Sequence, residues 1–233
     1  MIDAIAFSLH TLKLQALKKA NAGAPAGDLG GTMAAALAVT RVIDELNRRI
    51  GIIAIYLVLF ASLTSAFNAL FRYSTSGLLW LERYFGGGFF GAIVRIYGNN
   101  SNTLSEAQWY MFAGMVMLGG AWTLKVNEHV RVDLVYGWVS ERTRTWIDLL
   151  GGIFFLLPMC ALMLYFTWPW FMQAWITNEG SLNAGGLVRW PVKLIVVIGF
   201  ALVGLQGISE IIKCVLALTH GYVREFAYEK PLQ

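Results

Sequence analysis

Charged residues are scarce in this sequence. Asp, Glu, Lys and Arg fill 14% of its 233 positions, whereas hydrophobic residues fill 57%. A soluble domain carries about 25% charged residues, because charge has to cover its surface. The apolar residues also stand in long blocks and do not recur at amphipathic spacing. We therefore predict that lipid, and not water, surrounds most of the chain.

Histidine and cysteine are also rare, with three and two residues, and this argues against redox and metal chemistry. A haem held between spans needs two histidines facing each other inside the bilayer, yet His10, His129 and His220 all lie outside the apolar blocks. Cys160 and Cys214 form neither a CxxC motif nor a cluster with histidine, so we expect inert thiols. No glycine pattern of a nucleotide site is present either. We predict no enzyme activity and no cofactor.

The chain has a formal net charge of +4 and no run of Lys and Arg interleaved with aromatic residues. A nucleic-acid partner would need such a basic surface, so none is predicted. In a membrane protein, an excess of basic residues marks the cytoplasmic side.

Four apolar blocks are long enough to cross the hydrocarbon core, which takes about 20 helical residues. The predicted fold class is all-α, an integral membrane four-helix bundle with added amphipathic interfacial helices. The membrane domain is predicted at residues 50–218, and its spans at about residues 50–70, 104–124, 147–170 and 194–218. Pro158 is expected to kink the third span, and Pro191 fits the first turn of the fourth.

Three further segments flank or interrupt these spans. Residues 1–49 are predicted as a cytoplasmic or interfacial extension, in which an amphipathic helix and a Gly-rich linker precede a second helix starting near Thr32. Residues 73–102 form an outer insertion, expected as two short helices along the outer leaflet on either side of a triple-glycine break. The alternative is a re-entrant hairpin, which would have to desolvate Glu82 and Arg83. Residues 219–233 are predicted as a cytoplasmic tail. In the second helix we expect i,i+4 ion pairs among Arg41, Asp44, Glu45, Arg48 and Arg49.

Basic residues set the predicted orientation, with both termini in the cytoplasm of a bacterial inner membrane. They are more numerous beside the first span's start, after the second span and after the fourth span than on the opposite side. Five tryptophans then fall at the outer interface, as an aromatic belt: Trp80, Trp109, Trp168, Trp170 and Trp190.

An ionisable residue in the interior of a span is the usual sign of an ion or solute path. The predicted spans hold almost none. Arg72 and Glu106 lie at the outer ends of the first two spans, where we expect an ion pair. Gln206 and Glu210, one turn apart in the fourth span, are the one deeper polar pair. No inverted repeat with broken helices is evident. A chain of this kind is poorly equipped to move a polar solute alone, so a partner is expected.

Two sets of residues carry a resemblance to a known family. The run from Leu118 to Asp133, LGGAWTLKVNEHVRVD, resembles the hallmark of the small, DctQ-type membrane subunit of tripartite ATP-independent periplasmic (TRAP) transporters. Surrounding segments resemble its longer branch, often labelled for mannitol or chloroaromatic compounds. The positions that match the family pattern or are assigned to assembly are Asn68, Arg72, Glu106, Lys125, His129, Arg131, Asp133 and Glu210.

The resemblance implies a heteromeric importer. A periplasmic substrate-binding protein would deliver an organic anion to a large membrane subunit, which would move it with sodium bound in that partner. This chain would be the scaffold, with the lipid bilayer as its third partner. We further expect residues 125–133 to serve assembly. Two other readings stay open at this point: a membrane anchor of a redox complex, and a self-sufficient small transporter or channel.

Overall fold

The computed structural model describes residues 31–127 and 138–222, and nearly all of them are helical. Four helices follow one another, and we name them α1 to α4. They are α1 Gly31–Phe85, α2 Phe89–Val126, α3 Glu141–Ile176 and α4 Trp190–His220. The predicted all-helical class is confirmed over these ranges. The amphipathic helix expected near the N-terminus and most of the predicted tail lie outside the described residues.

Three of the helices are long and apolar enough to cross a membrane: α1 from Met33 onward, α3 and α4. The span predicted at residues 104–124 lies inside α2, which is not among them. The N-terminal half of α2 is rich in Asn and Ser, and its C-terminal half contains Trp, Gly and Thr, which lower the mean hydropathy. Crossing by α2, and with it the four-helix bundle, therefore stays a prediction.

Helix α1 differs from the expectation at its outer end. It continues without interruption through the outer segment to Phe85, so the two separate short helices expected in residues 73–102 are absent and the prediction was wrong. The break falls at the triple glycine, where Gly86, Gly87 and Gly88 have φ of 65°, 89° and 76°. Glycine adopts this left-handed region without a steric cost.

The turn is closed by the carboxylate of Glu82. It accepts hydrogen bonds from the backbone N–H groups of Gly88, at 2.6 Å, and Gly91, at 3.1 Å. These N–H groups belong to the start of α2, which has no earlier carbonyl groups to receive them. A negative charge is also favourable at a helix N-terminus. The charged residue therefore stabilises a sharp reversal between two long helices.

Helix α3 contains a π-helical turn at Gly152–Leu156, directly before Pro158. The backbone N–H of Leu157 donates to the carbonyl of Gly152, five residues earlier. Proline has no N–H to donate and its ring clashes with the carbonyl four residues back. A widened turn therefore lies just before Pro158, and the kink predicted at Pro158 stays a prediction.

The described chain divides into two compact units. The first unit contains, among the described residues, 31–47, 123–127, 138–159 and 204–222. In it α3 and α4 meet closely: a Cβ added to Gly207 would lie 2.7 Å from the Leu156 side chain, and one added to Gly152 would lie 2.9 Å from Ile211. Glycine permits this approach of two helices.

The second unit contains residues 48–122 and 160–203. Glycines and alanines again mark the helix contacts. Ala54 and Ala61 of α1 are buried. A Cβ on Gly114 would lie 2.7 Å from Leu57, and one on Gly199 would lie 2.7 Å from the Cβ of Met117. Small residues therefore mark where α1 meets α2, whereas Ala69, two turns after Ala61 on α1, is exposed.

Replacing Gly199 by Ala should destabilise the protein. The added Cβ would lie 2.9 Å from the carbonyl oxygen of Met117 as well as close to its side chain, and backbone cannot move aside as a flexible side chain can. Overpacking of this kind costs about 1–3 kcal/mol. Thermal unfolding of the purified full chain in detergent should show a lower midpoint.

Gly77→Ala is the matched control, because Gly77 is also inside a helix but meets no atom within 4 Å. Alanine is the better helix former there, so the midpoint should stay or rise. Equal midpoints for the two variants would contradict close packing at Gly199.

Candidate functional site

Polar side chains gather in the first unit, and we call them the Asp44 cluster. Four of them recur along one face of α4 at steps of three and four residues, and two are one turn apart on α1. The members are Asp44, Asn47, Lys125, Gln206, Ser209, Glu210 and Lys213. Gln206 and Ser209 are fully buried, so their hydrogen bonds have to be made within the protein.

The carboxylate of Asp44 is the centre of this cluster. One oxygen accepts hydrogen bonds from Gln206 Nε2 at 3.0 Å and Ser209 Oγ at 2.9 Å. The other accepts from Lys213 Nζ at 2.8 Å, and Lys125 Nζ lies 3.8 Å away. Lys213 also donates to Glu210 Oε1 at 2.8 Å. Two carboxylates thus meet two ammonium groups, so the formal charges of the cluster cancel.

The hydrogen bonds of Gln206 fix the orientation of its amide. Its Nε2 has to face Asp44 and Glu210, because a carboxylate only accepts. Its Oε1 consequently faces Asn47, whose Nδ2 donates to it at 2.7 Å. The Oδ1 of Asn47 is then left buried without a hydrogen-bond partner among the described residues. The side chain of Gln206 on α4 is therefore hydrogen-bonded to two residues of α1, Asp44 and Asn47.

A second polar group lies in the second unit, where Glu106 of α2 contacts the loop at residues 177–189. Its Oε1 accepts hydrogen bonds from Ser181 Oγ and, at 2.8 Å, from Asn183 Nδ2. Its Oε2 accepts from the backbone N–H of Leu187 at 2.6 Å. Three donors from one loop thus surround the carboxylate.

The predicted ion pair between Arg72 and Glu106 was wrong. No ion pair joins them among the described residues, and Arg72 is exposed on α1. The prediction rested on the ends of the predicted spans at residues 50–70 and 104–124, but α1 and α2 both extend well beyond these two residues. The loop, however, folds over α2 and supplies closer donors than an arginine on a separate helix.

Other side chains of α2 fasten the same loop through its carbonyl oxygens. These bonds run from Asn102 to Ala184 at 3.0 Å, from Thr103 to Gly185, and from Tyr110 to Val188 at 2.9 Å. Gly185 has φ of 70°, and a Cβ there would lie 2.8 Å from the carbonyl oxygen of Asn99. Only glycine fits this position. The loop is therefore held in one conformation along several turns of α2.

Glu179, at the start of the loop, binds the two basic residues that follow it. Lys193 Nζ donates to its Oε2, and Arg189 lies 3.4 Å from its Oε1. The hydrogen bond from Lys193 lowers the pKa of Glu179 below its ordinary value. Lys193 also lies over the ring of Trp170, 4.6 Å from its centroid, which is cation–π geometry. The ends of the loop are thereby tied to α3 and α4.

The remaining candidate residues are placed as follows. Asn68 of α1 donates to Ser105 at 3.2 Å and accepts from Tyr97 at 2.6 Å, both on α2. Lys125 and Glu210 belong to the Asp44 cluster. The expected pair of Gln206 and Glu210 is confirmed, at 3.0 Å. The last candidates lie outside the described residues: His129, Arg131 and Asp133.

Sequence reasoning missed the role of Asp44 and Asn47. It expected Asp44 to pair along α1, but the carboxylate contacts α4. A signal was present, since two polar residues one turn apart on α1 match four polar residues on one face of α4. Charges at the edge of an apolar block are more stable when they meet each other.

Within the described residues, these polar side chains join helices to one another and to the loop at residues 177–189. Among residues 31–127 and 138–222, no group of three His, Cys, Asp or Glu side chains lies together as a metal would require. Cys160 and Cys214 are free thiols, both buried. The described polar groups are thus occupied mainly with one another.

Replacing Asp44 by Asn should destabilise the full chain. It would remove one of the two carboxylates that bind Lys213, and breaking a buried pair costs about 3–5 kcal/mol. The side chains of Asp44 and Lys213 are 15% and 13% exposed, so we expect the lower end of that range. Thermal unfolding in detergent measures the effect.

The double variant Asp44→Asn, Lys213→Met is the control for charge. The formal net charge of the cluster is again zero in this variant, so it should be more stable than Asp44→Asn alone. A double variant no more stable than the single one would show that pairing with Lys213 is not what Asp44 contributes.

Comparison with known proteins adds the family. A family model described as the DctQ component of the tripartite ATP-independent periplasmic transporters matches residues 84–217. Neither the curated proteins nor the solved structures give a match. The matched range begins at the outer end of α1 and includes the Glu106 contacts and the α4 part of the Asp44 cluster. Since it covers more than half of the chain, the chain belongs to the DctQ family of TRAP transporter components.

Proposed function

We propose that this chain is the small scaffold subunit of a TRAP-type secondary transporter in the bacterial inner membrane. The large subunit would import an organic anion together with sodium, and a periplasmic binding protein would deliver the anion. Membership of the DctQ family supports a role as one component of such a transporter. The scaffold role has a separate basis in the Asp44 cluster.

The scaffold role is supported chiefly by the pairing of the charged side chains in the Asp44 cluster with one another. An ion or solute path needs polar groups that are available to the cargo. Here Asp44 and Glu210 share Lys213, and the buried amides around them complete the network. These groups therefore connect helices. Solute and sodium binding would accordingly belong to the partner subunit.

The outward faces of the helices suit lipid and a membrane partner. Large apolar side chains such as Ile55 and Leu63 on α1 and Phe155 and Tyr165 on α3 are exposed. In a bilayer, exposed apolar side chains of this kind would contact lipid tails and not water. The large subunit would pack on part of it.

The scaffold role is tested by assembly with the large subunit. Arg131→Ala and Asp133→Ala should each lower the amount of intact complex recovered, because the motif after α2 is proposed to serve assembly. Complexes that do form should keep the sodium dependence and solute affinity of uptake in proteoliposomes. Arg142→Ala, which removes an exposed arginine at the start of α3, should change neither.

Other results would point elsewhere. Normal assembly with altered sodium coupling would place Arg131 and Asp133 in the transport mechanism. Uptake by this chain alone in liposomes would favour a self-sufficient transporter. Recovery of oxidoreductase subunits with the purified chain would favour a redox anchor.

The proposed orientation places both termini in the cytoplasm and the loop at residues 177–189 outside, following the basic residues. Reporter fusions at Gln233 and near Asn100 should give opposite sidedness. Cytoplasmic labelling of Asn100 would overturn this orientation.

A further inference from the structure

The outer ends of α1 and α2 form a helical hairpin, which we call the arm: residues 69–85 and 89–105. At its base Asn68 donates to Ser105. Further along, the rings of Phe71 and Tyr97 lie 4.5 Å apart between centroids. At the tip, Glu82 binds the first N–H groups of α2. The two helices of the hairpin are thus in contact from base to tip.

The arm is too long to remain within the bilayer. The charge-free part of α1 begins at Ile50 and ends at Phe71, which suffices for the hydrocarbon core of about 30 Å. From Arg72 to Phe85 the helix rises by about 20 Å more at 1.5 Å per residue. A tilt of about 20° leaves about 18 Å of that height. The headgroup layer is thinner than this, so the tip stands in water.

The tip exposes side chains that water does not favour. Trp80, Tyr84, Phe85 and Phe89 are each 61–72% exposed. Trp80 stacks on Tyr84 and Phe85 meets Tyr84 edge to face, so the rings form one continuous aromatic surface. We call it the aromatic tip. Contiguous exposed apolar surface in an aqueous phase is typical of a binding site for another protein.

The charge of the arm is basic. Arg72, Arg83 and Arg95 are exposed, whereas its one acidic residue, Glu82, is engaged with the backbone of the turn. Trp, Tyr and Arg are the residues most enriched at the energetic centres of protein interfaces. A partner for this surface would present an apolar recess with acidic residues around it.

We propose that the aromatic tip is a docking surface for the water-soluble substrate-binding subunit, which would meet it through an acidic, apolar-centred patch. This proposal rests on the proposed function and on the outward orientation of the arm. Lipid is disfavoured by the height of the tip. A soluble partner fits because only a protein in the aqueous compartment reaches a surface beyond the headgroups.

The test measures binding of the purified soluble subunit to the complex of this chain with the large subunit in lipid nanodiscs. The variant Trp80→Ser, Tyr84→Ser, Phe85→Ser should weaken binding at least tenfold, with unchanged recovery of the large subunit. Arg83→Glu keeps the aromatic packing and should slow association, with a smaller dependence on salt than the unmodified complex. Trp138→Ser is the control, because Trp138 is also an exposed aromatic residue, at 92%, but lies in the loop proposed to be cytoplasmic.

Each outcome is decisive. Unchanged affinity in both arm variants would overturn the docking surface, and so would equal weakening by Trp138→Ser. Loss of the large subunit from the triple variant would overturn it too, by placing the arm in the contact with that subunit. Failure of the unmodified complex to bind any soluble subunit would instead count against the proposed function.

Discussion

A polar side chain that is buried away from water has to find its hydrogen-bond partners within the protein. Helices satisfy the backbone, but side chains need each other. In the first unit this requirement converges on Asp44, whose two oxygens receive a lysine, a serine and a glutamine. The amide of Gln206 then fixes Asn47. The position of α1 beside α4 in this unit depends on that chain of contacts.

The same rule applies to Glu106 in the second unit. This half-buried carboxylate accepts three hydrogen bonds from one loop. Together with the bonds to loop carbonyls, it replaces a flexible connection by a fixed one. These hydrogen bonds hold the loop in one backbone conformation. That conformation has a positive φ at residue 185, which glycine adopts without strain.

Asp44, Glu210, Lys125 and Lys213 have formal charges that sum to zero, and pairing of this kind within the chain is what the proposed scaffold would need. The arm differs from the cluster, because its exposed side chains are aromatic and basic. The family model begins only at residue 84, so most of the α1 half of the arm precedes the matched range.

The sequence by itself determined the solvent, the helical class and the family. Long apolar blocks permit only helices in lipid, and each predicted span falls inside an observed helix. The run from Leu118 to Asp133 carried the family, and the Gln206 and Glu210 pair followed from helical spacing. These are local properties, readable from neighbours in the chain.

Only the tertiary structure decided the partners of Asp44 and Glu106 and the length of α1. Asp44 meets residues more than 160 positions away, and Glu106 meets a loop whose fold depends on left-handed glycine and on carbonyls held by α2. The first span continues as an arm because Glu82 caps the next helix across a glycine turn. Each of these outcomes depends on contacts between segments distant in sequence or on a turn geometry, and spacing along one helix carries no information about which donor will be nearest.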